Sequence, residues 1–308
     1  MTSNTRPAFQ PLTGLYEPSA IQQLPDGRFL VVEDEKAHTF SLLTLQCDGT
    51  ASSEPLEPGW FQGGAPVWNL DDLEGLTLDG LGHLYAITSH SRNSQGEEKK
   101  AREQLARFRI EDGELRKPVV VGGLKPALAA AHPVLAAAAQ MTDVKSGEAL
   151  SIEALDITPN RQRLLVGFRS PLQAGLALIA CIDNPAAMFD AGAPPQVSSM
   201  LQTLDLGGQG IRGMAYVAGL QGYLLIGGPA SRGQEADFSL WFWSGQPEAP
   251  ARRVTVPGLQ GLAHAEGISA ALIDGEARIF IVSDEGDRKK GRCARFVLLR
   301  LDQLHIAA

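Results

Sequence analysis

The sequence predicts an all-β chain folded as a single β-propeller. Three observations carry this reading. Five segments repeat one order of strand types. Glycine and proline number 33 and 19 among 308 residues, above the usual share and in keeping with many turns. Only one stretch, rich in alanine, reads as helix. A short repeated unit that cannot bury its own apolar faces, stacked round a ring, is how a propeller is written in sequence.

Each repeat opens with a strand: PSAIQQ (18–23), LEGLTL (73–78), IEALDI (152–157), IRGMAY (211–216) and AEGISA (265–270). An apolar second strand follows: FLVVEDE (29–35), LYAITSH (84–90), LLVGFRS (164–170), YLLIGGP (223–229) and IFIVSDE (279–285). These are runs of β-branched and aromatic residues ended by polar or glycine positions. Third strands are HTFSLLTL (38–45), LARFRI (105–110), LALIACI (176–182), DFSLWFW (237–243) and RFVLLRL (295–301), and fourth strands are read at 118–124, 199–206 and 252–258. Ser19, Glu74, Glu153, Arg212 and Glu266 fall at one equivalent position, spaced 55, 79, 59 and 54 residues apart. The 79-residue interval holds the alanine-rich helical insertion, about 125–141, interrupted by Pro133. Five blades are preferred, with room for a sixth in 48–66 or 185–200, and residues 7–12 are expected to complete the last blade. No domain boundary is read within 1–308. A β-sandwich is the structural alternative, but it does not explain the recurring strand order.

The start of a first strand lies beside the end of a second strand, so two polar rows meet at one mouth of the ring. One row is Ser19, Glu74, Glu153, Arg212 and Glu266, and the other is Asp34, Ser89, Arg169, Gly228 and Asp284, followed by Glu35, His90, Ser170, Pro229 and Glu285. Five carboxylates, Asp34, Glu74, Glu153, Glu266 and Asp284, converging on a narrow axis require positive charge. Arg169 and Arg212 can supply it in a closed ion-pair network. A hard cation such as calcium, which takes about six to eight oxygen ligands, is the other neutraliser, with Ser19 and the five carboxylates as its ligands. Arginines grip phosphate or carboxylate through paired hydrogen bonds, so Arg169 and Arg212, with Ser89, Arg92 and His90 nearby, form the expected site for an anionic substrate. Two long loops rich in Arg and Lys, 91–104 and 286–294, open on the same face.

Other signals exclude more than they suggest. A net charge of −8 argues against a general nucleic-acid binder. No run of 18 apolar residues and no apolar leader occurs, so a cytoplasmic protein without membrane contact is expected. Cys47, Cys181 and Cys293 are scattered and read as free thiols. Gly208 to Gly213 spells the dinucleotide fingerprint G-x-G-x-x-G, but a strand follows where a helix is needed, so it reads as a turn. No zinc spacing, nucleophile elbow or P-loop is present. The Trp241-Phe242-Trp243 cluster reads as core packing.

At Asp72-Leu73-Glu74-Gly75, at Leu84 to Asn93 and at Gly167 to Leu172 the chain resembles a bacterial family, domain of unknown function 3616, over about Tyr16 to Leu301. Ile87-Thr88 stand before Ser89-His90-Ser91, where that family would have a glycine. More distantly, the Glu-Gly starts look like phytase-like phosphatases and five-bladed calcium-activated nucleotidases, whose ion is held by serine and glutamate oxygens. That resemblance implies calcium on Ser19, Glu74, Glu153 and Glu266, whereas Arg212 departs from it by placing a cation among the ligands. Two functions are therefore expected. The first is a metal-assisted hydrolase of a phosphorylated or other anionic small molecule, with Arg169, Arg212 and His90 binding substrate or stabilising charge. The alternative is a non-catalytic propeller that binds a ligand or a protein partner.

Overall fold

The computed structural model describes residues 6–33, 39–58, 64–231, 237–262 and 264–308. Strand β1 (Gln10–Thr13) precedes β2 (Pro18–Gln23), β3 (Phe29–Glu33), β4 (Phe40–Leu45) and β5 (Ala51–Pro55). The second group is β6 (Leu73–Leu78), β7 (Leu84–Thr88), β8 (Leu105–Glu111) and β9 (Glu114–Val121), followed by helices α1 (Leu124–Ala131) and α2 (Pro133–Gln140). Then come β10 (Ser151–Ile157), β11 (Leu164–Ser170), β12 (Ala177–Ile182), helix α3 (Pro185–Ala191) and β13 (Gln202–Leu204). The chain finishes with β14 (Gly210–Val217), β15 (Gly222–Gly228), β16 (Ser239–Trp243), β17 (Arg252–Thr255), β18 (Ala265–Ile273), β19 (Glu276–Ser283), β20 (Arg295–Arg300) and β21 (His305–Ile306).

The fold is all-β. Four-stranded sheets β6–β9 and β10–β13 stand beside a five-stranded sheet, β14-β15-β16-β17-β21, and an eight-stranded sheet, β18-β19-β20-β1-β5-β4-β3-β2. The eight-stranded sheet is two antiparallel quartets sharing a seam. There β1 pairs antiparallel with β20 and parallel with β5. The expected N-terminal closing segment at 7–12 thus pairs from Gln10 onward, and it pairs on both sides. The segment 48–66, read as room for another blade, supplies β5 in its described part, and 185–200 supplies α3. Strand β21, past the last expected repeat, pairs with β17.

First strands meet in a closed cycle, β2 with β6, β6 with β10, β10 with β14, β14 with β18, and β18 with β2. Second strands are buried on both faces, which is why they are continuous apolar runs rather than alternating ones. Their pleat feeds two different cores. Phe29 and Val31 of β3 pack with Phe280 and Phe296, whereas Leu30 and Val32 pack with Leu76, Ala86 and Phe108. In β15, Tyr223 and Leu225 join Trp243, while Leu224 and Ile226 join Phe242 and Ile281. The Trp241-Phe242-Trp243 run is therefore split, Phe242 to one core and Trp243 to the next.

One device recurs in every first strand. Pairing of first with second strand skips a residue between Pro18 and Ala20, Leu73 and Gly75, Ile152 and Ala154, Ile211 and Gly213, and Ala265 and Gly267. The skipped residues are Ser19, Glu74, Glu153, Arg212 and Glu266, the row read as equivalent from the sequence. A bulged residue is left unpaired and re-aimed, so each repeat turns one polar side chain out of its ladder. The small residue that follows lets neighbouring strands approach. A Cβ on Gly75 would sit 2.8 Å from both Ile87 Cγ2 and the Leu155 backbone nitrogen.

Candidate functional site

Below the bulges the axis is nearly closed. Ser19, Glu74, Glu153, Gly213 and Glu266 line a cavity of about 10 Å³, space for roughly one water. At the level of the bulges the charges form a chain. Arg169 Nη1 lies 2.6 Å from Glu153 Oε1, Arg212 Nε lies 2.9 Å from Glu153 Oε2, and Arg212 Nη2 contacts Glu266 Oε1. Ser151 donates to Glu153 Oε1 at 3.3 Å. Glu153, Arg169 and Glu266 are buried. Burial draws the Arg212 guanidinium down from its ordinary value, while Glu153, Glu74 and Asp284 pull it back up. Asp284, half-buried just past β19, is pushed up to about 6 by burial and by the Glu17 charge, against Arg212 and His264.

This donor set answers the calcium expectation. Both oxygens of Glu153 and one of Glu266 face guanidinium groups, so the positive charge that a cation would bring is already supplied by Arg169 and Arg212. Ser19 and Glu74 line the axis, and Asp284 stands at the rim near Arg212. Asp34, the remaining expected ligand, lies outside the described residues, as does Glu35. Among the described residues no group of three or more His, Cys, Asp or Glu is set to hold a metal ion. The described residues fit an ion-pair network and do not fit a calcium ion.

Beside this network opens a polar cavity of about 240 Å³, lined by Asp72, Ser91, Arg92, Arg102, Ser151 and Arg169 together with Asn93, Ser94, Val144, Ala149 and Leu150. Arg169 arrives at the end of β11 and Ser151 at the start of β10, while Arg92 and Arg102 come from the loop between β7 and β8. Arg92 is tied down by Glu98 at 3.0 Å and by the carbonyls of Gly96 and Ala139. Arg102 holds Asp72 Oδ2 through Nη2, which also donates to Ser91 Oγ at 2.9 Å. Ser91 Oγ in turn donates to Asp72 Oδ2 at 3.3 Å. Arg102 Nη1 and Arg169 Nη2 have no hydrogen-bond or ion-pair partner among the described residues.

Of the residues expected to bind substrate, the structure brings Arg92 and Arg169 to this cavity and leaves Arg212 on the axis beside it. Ser89 sits one layer behind, its Oγ 2.9 Å from Ser91 Oγ. His90 does not fit a catalytic role. Its ring is wholly buried, Nδ1 lies 2.8 Å from the Thr88 carbonyl, and burial with the nearby Lys125 charge lowers its pKa to about 4. A neutral, enclosed imidazole has no route to a ligand in the cavity. Asp72, Ser91, Arg102 and Ser151 were not singled out from sequence. The usable signal was the start of the Asp72-to-Gly75 motif, since Asp72 stands two residues before a bulge.

The ring of first strands, the five cores between sheets and the bulged polar row define a propeller-like all-β protein. No protein-family model matches the chain, and no curated protein matches it in sequence. Among solved structures it is similar to a Bombyx mori GH32 beta-fructofuranosidase in complex with sucrose, at 11% identity and a TM-score of 0.51, over 98% of this chain and 65% of that one. It is also similar to a Thermus thermophilus protein assigned as an oxidoreductase (glucose dehydrogenase), at 16% identity and a TM-score of 0.49, over 95% and 100% of the two chains. A third is the Kuenenia stuttgartiensis hydrazine synthase, at 11% identity and a TM-score of 0.38; 92% of this chain is covered, and it spans 59% of that protein's length. At 11% identity the likeness to the fructofuranosidase is one of fold. Among the described residues no helix is long and apolar enough to cross a membrane.

Proposed function

We propose that this chain is a five-bladed propeller that binds a small anionic molecule in the arginine-lined cavity beside the mouth of its ring. The supporting observation is the convergence of Arg92, Arg102 and Arg169 on about 240 Å³, with Arg102 Nη1 and Arg169 Nη2 uncommitted among the described residues. Guanidinium groups held by neighbouring carboxylates are pre-aimed, so little side-chain entropy is lost when an anion arrives. The ligand is proposed to be a small molecule rather than nucleic acid, in keeping with the net charge of −8.

Hydrolysis at the ring mouth is a second reading, for which Asp284, beside Arg212 though outside the cavity lining and with a pKa raised to about 6 by burial, would be the general acid or base. Thermal-shift titration with acetate and inorganic phosphate tests the binding reading: saturable stabilisation is expected, reduced at least tenfold in apparent affinity by Arg169→Gln. Equal response of wild type and variant would reject the cavity. A screen of phosphoester and carboxyester substrates, with and without EDTA, tests turnover. Activity abolished by EDTA would overturn the ion-pair account of the mouth.

A further inference from the structure

An acid inside an anion-binding cavity needs a reason. Asp72 is 4% exposed and holds a φ of 65°, a left-handed conformation that costs a non-glycine residue energy and is kept where surroundings over-determine it. Its Oδ2 is taken by Arg102 and Ser91, while Oδ1 accepts from none of the described residues. In a cavity lined also by Arg92, Arg102 and Arg169, a carboxylate with one oxygen spare would weaken the hold on a plain anion such as a simple carboxylate. It strengthens the hold on an anion that carries a hydrogen-bond donor close to its charge. An ammonium donor is disfavoured, because Asp72 is already paired with the Arg102 guanidinium and two further arginines line the same cavity. A hydroxyl meets no such penalty.

Resting on the anion-binding reading above, we infer that the ligand is a hydroxylated anion, with its charged group on Arg169 and Arg102 and a neighbouring hydroxyl donating to Asp72 Oδ1. An acceptor left unmet once the ligand fills the cavity is what gives a site discrimination against an analogue lacking the donor. Ser151 and Ser94, also in the lining, add hydroxyls that can pair with further oxygens of such a ligand.

The test uses the full chain and probes matched in size: glycerate, propionate, alanine and glycerol, read by ligand-observed NMR titration. Expected is saturable binding of glycerate, with propionate and alanine at least tenfold weaker and glycerol silent. Propionate binding as tightly as glycerate overturns the inference and leaves the anion reading standing. Alanine binding more tightly than glycerate also overturns it, in favour of an ammonium donor. If neither glycerate nor propionate binds, the anion reading fails and the inference falls with it. Asp72→Asn, which keeps the shape, is expected to bring glycerate to within about threefold of propionate, whereas Arg169→Gln weakens both. Should Asp72→Asn fail to fold, the wild-type comparison of probes still decides.

Discussion

Glu153 and Asp156 stand three residues apart on β10, both buried, and face opposite ends of the ring. Glu153 meets two arginines. Asp156 meets no cation among the described residues. It accepts instead from Thr77 Oγ1 at 2.7 Å, from its neighbour's amide, Ile157, at 2.7 Å, and from the Tyr216 amide at 2.5 Å, beside a cavity of about 310 Å³ at that end. Burial then pushes its pKa up to about 6, against the pull of those three bonds. One strand thus satisfies one carboxylate by charge and another by neutral donors. Three hydrogen bonds orient the buried carboxylate and pull its pKa down, but not by enough to offset its burial.

The largest expected effect breaks the charged end. Glu153→Gln leaves Arg169 and Arg212 without their shared partner and should cost about 3–5 kcal/mol, equally with EDTA and with excess calcium, in urea or thermal unfolding. A loss confined to the calcium-loaded sample would show that a metal, not the arginines, holds the site.

The neutral end is tested by pH. Because the folded pKa of Asp156 is raised from 3.8 to about 6, the folded state binds more protons than the unfolded one between those values. Stability should therefore fall as pH rises from about 4 to 6 and stay reduced above it, by on the order of 2–3 kcal/mol. Asp156→Asn should flatten its share of that slope in unfolding measured at pH 4.5 and 7. Asp284→Asn should flatten the share belonging to the charged end, since its pKa is raised in the same direction. An unchanged slope in Asp156→Asn would place the whole pH response at the charged end. The smallest effect is expected of Thr77→Val, about 1 kcal/mol at pH 7, with a steeper pH slope because a donor to the carboxylate is lost.

The repeats were legible because second strands buried on both faces must be apolar throughout, and because each first strand carries one polar residue before a small one. What the pattern Glu-Gly, Glu-Ala, Arg-Gly means physically, a bulge followed by close strand approach, emerges only from the register. The Glu153–Arg169 and Glu153–Arg212 pairs were legible as one of two neutralising schemes. The cavity was not, since Asp72, Arg102, Ser151 and Arg169 come from separate segments that only the folded ring brings together. His90 looked chemical by type and position; its complete burial comes from the packing of distant segments, which no local spacing reveals. Strand β21 escaped notice because two residues at an outer edge carry no periodic signal.

Strand β1 has a consequence for the order of events during synthesis. Its four residues pair with β5, made soon after, and with β20, whose Phe296 lies opposite Gln10. A chain emerging at about 5–20 residues per second exposes the first of these partners within seconds and the second only after most of a minute or less. Until then the early segments present unpaired strand edges, open to pairing with other nascent chains. The seam is thus a late, long-range contact of the slow-forming kind, so the ring closes only when β20, made long after β1, comes back to pair with it.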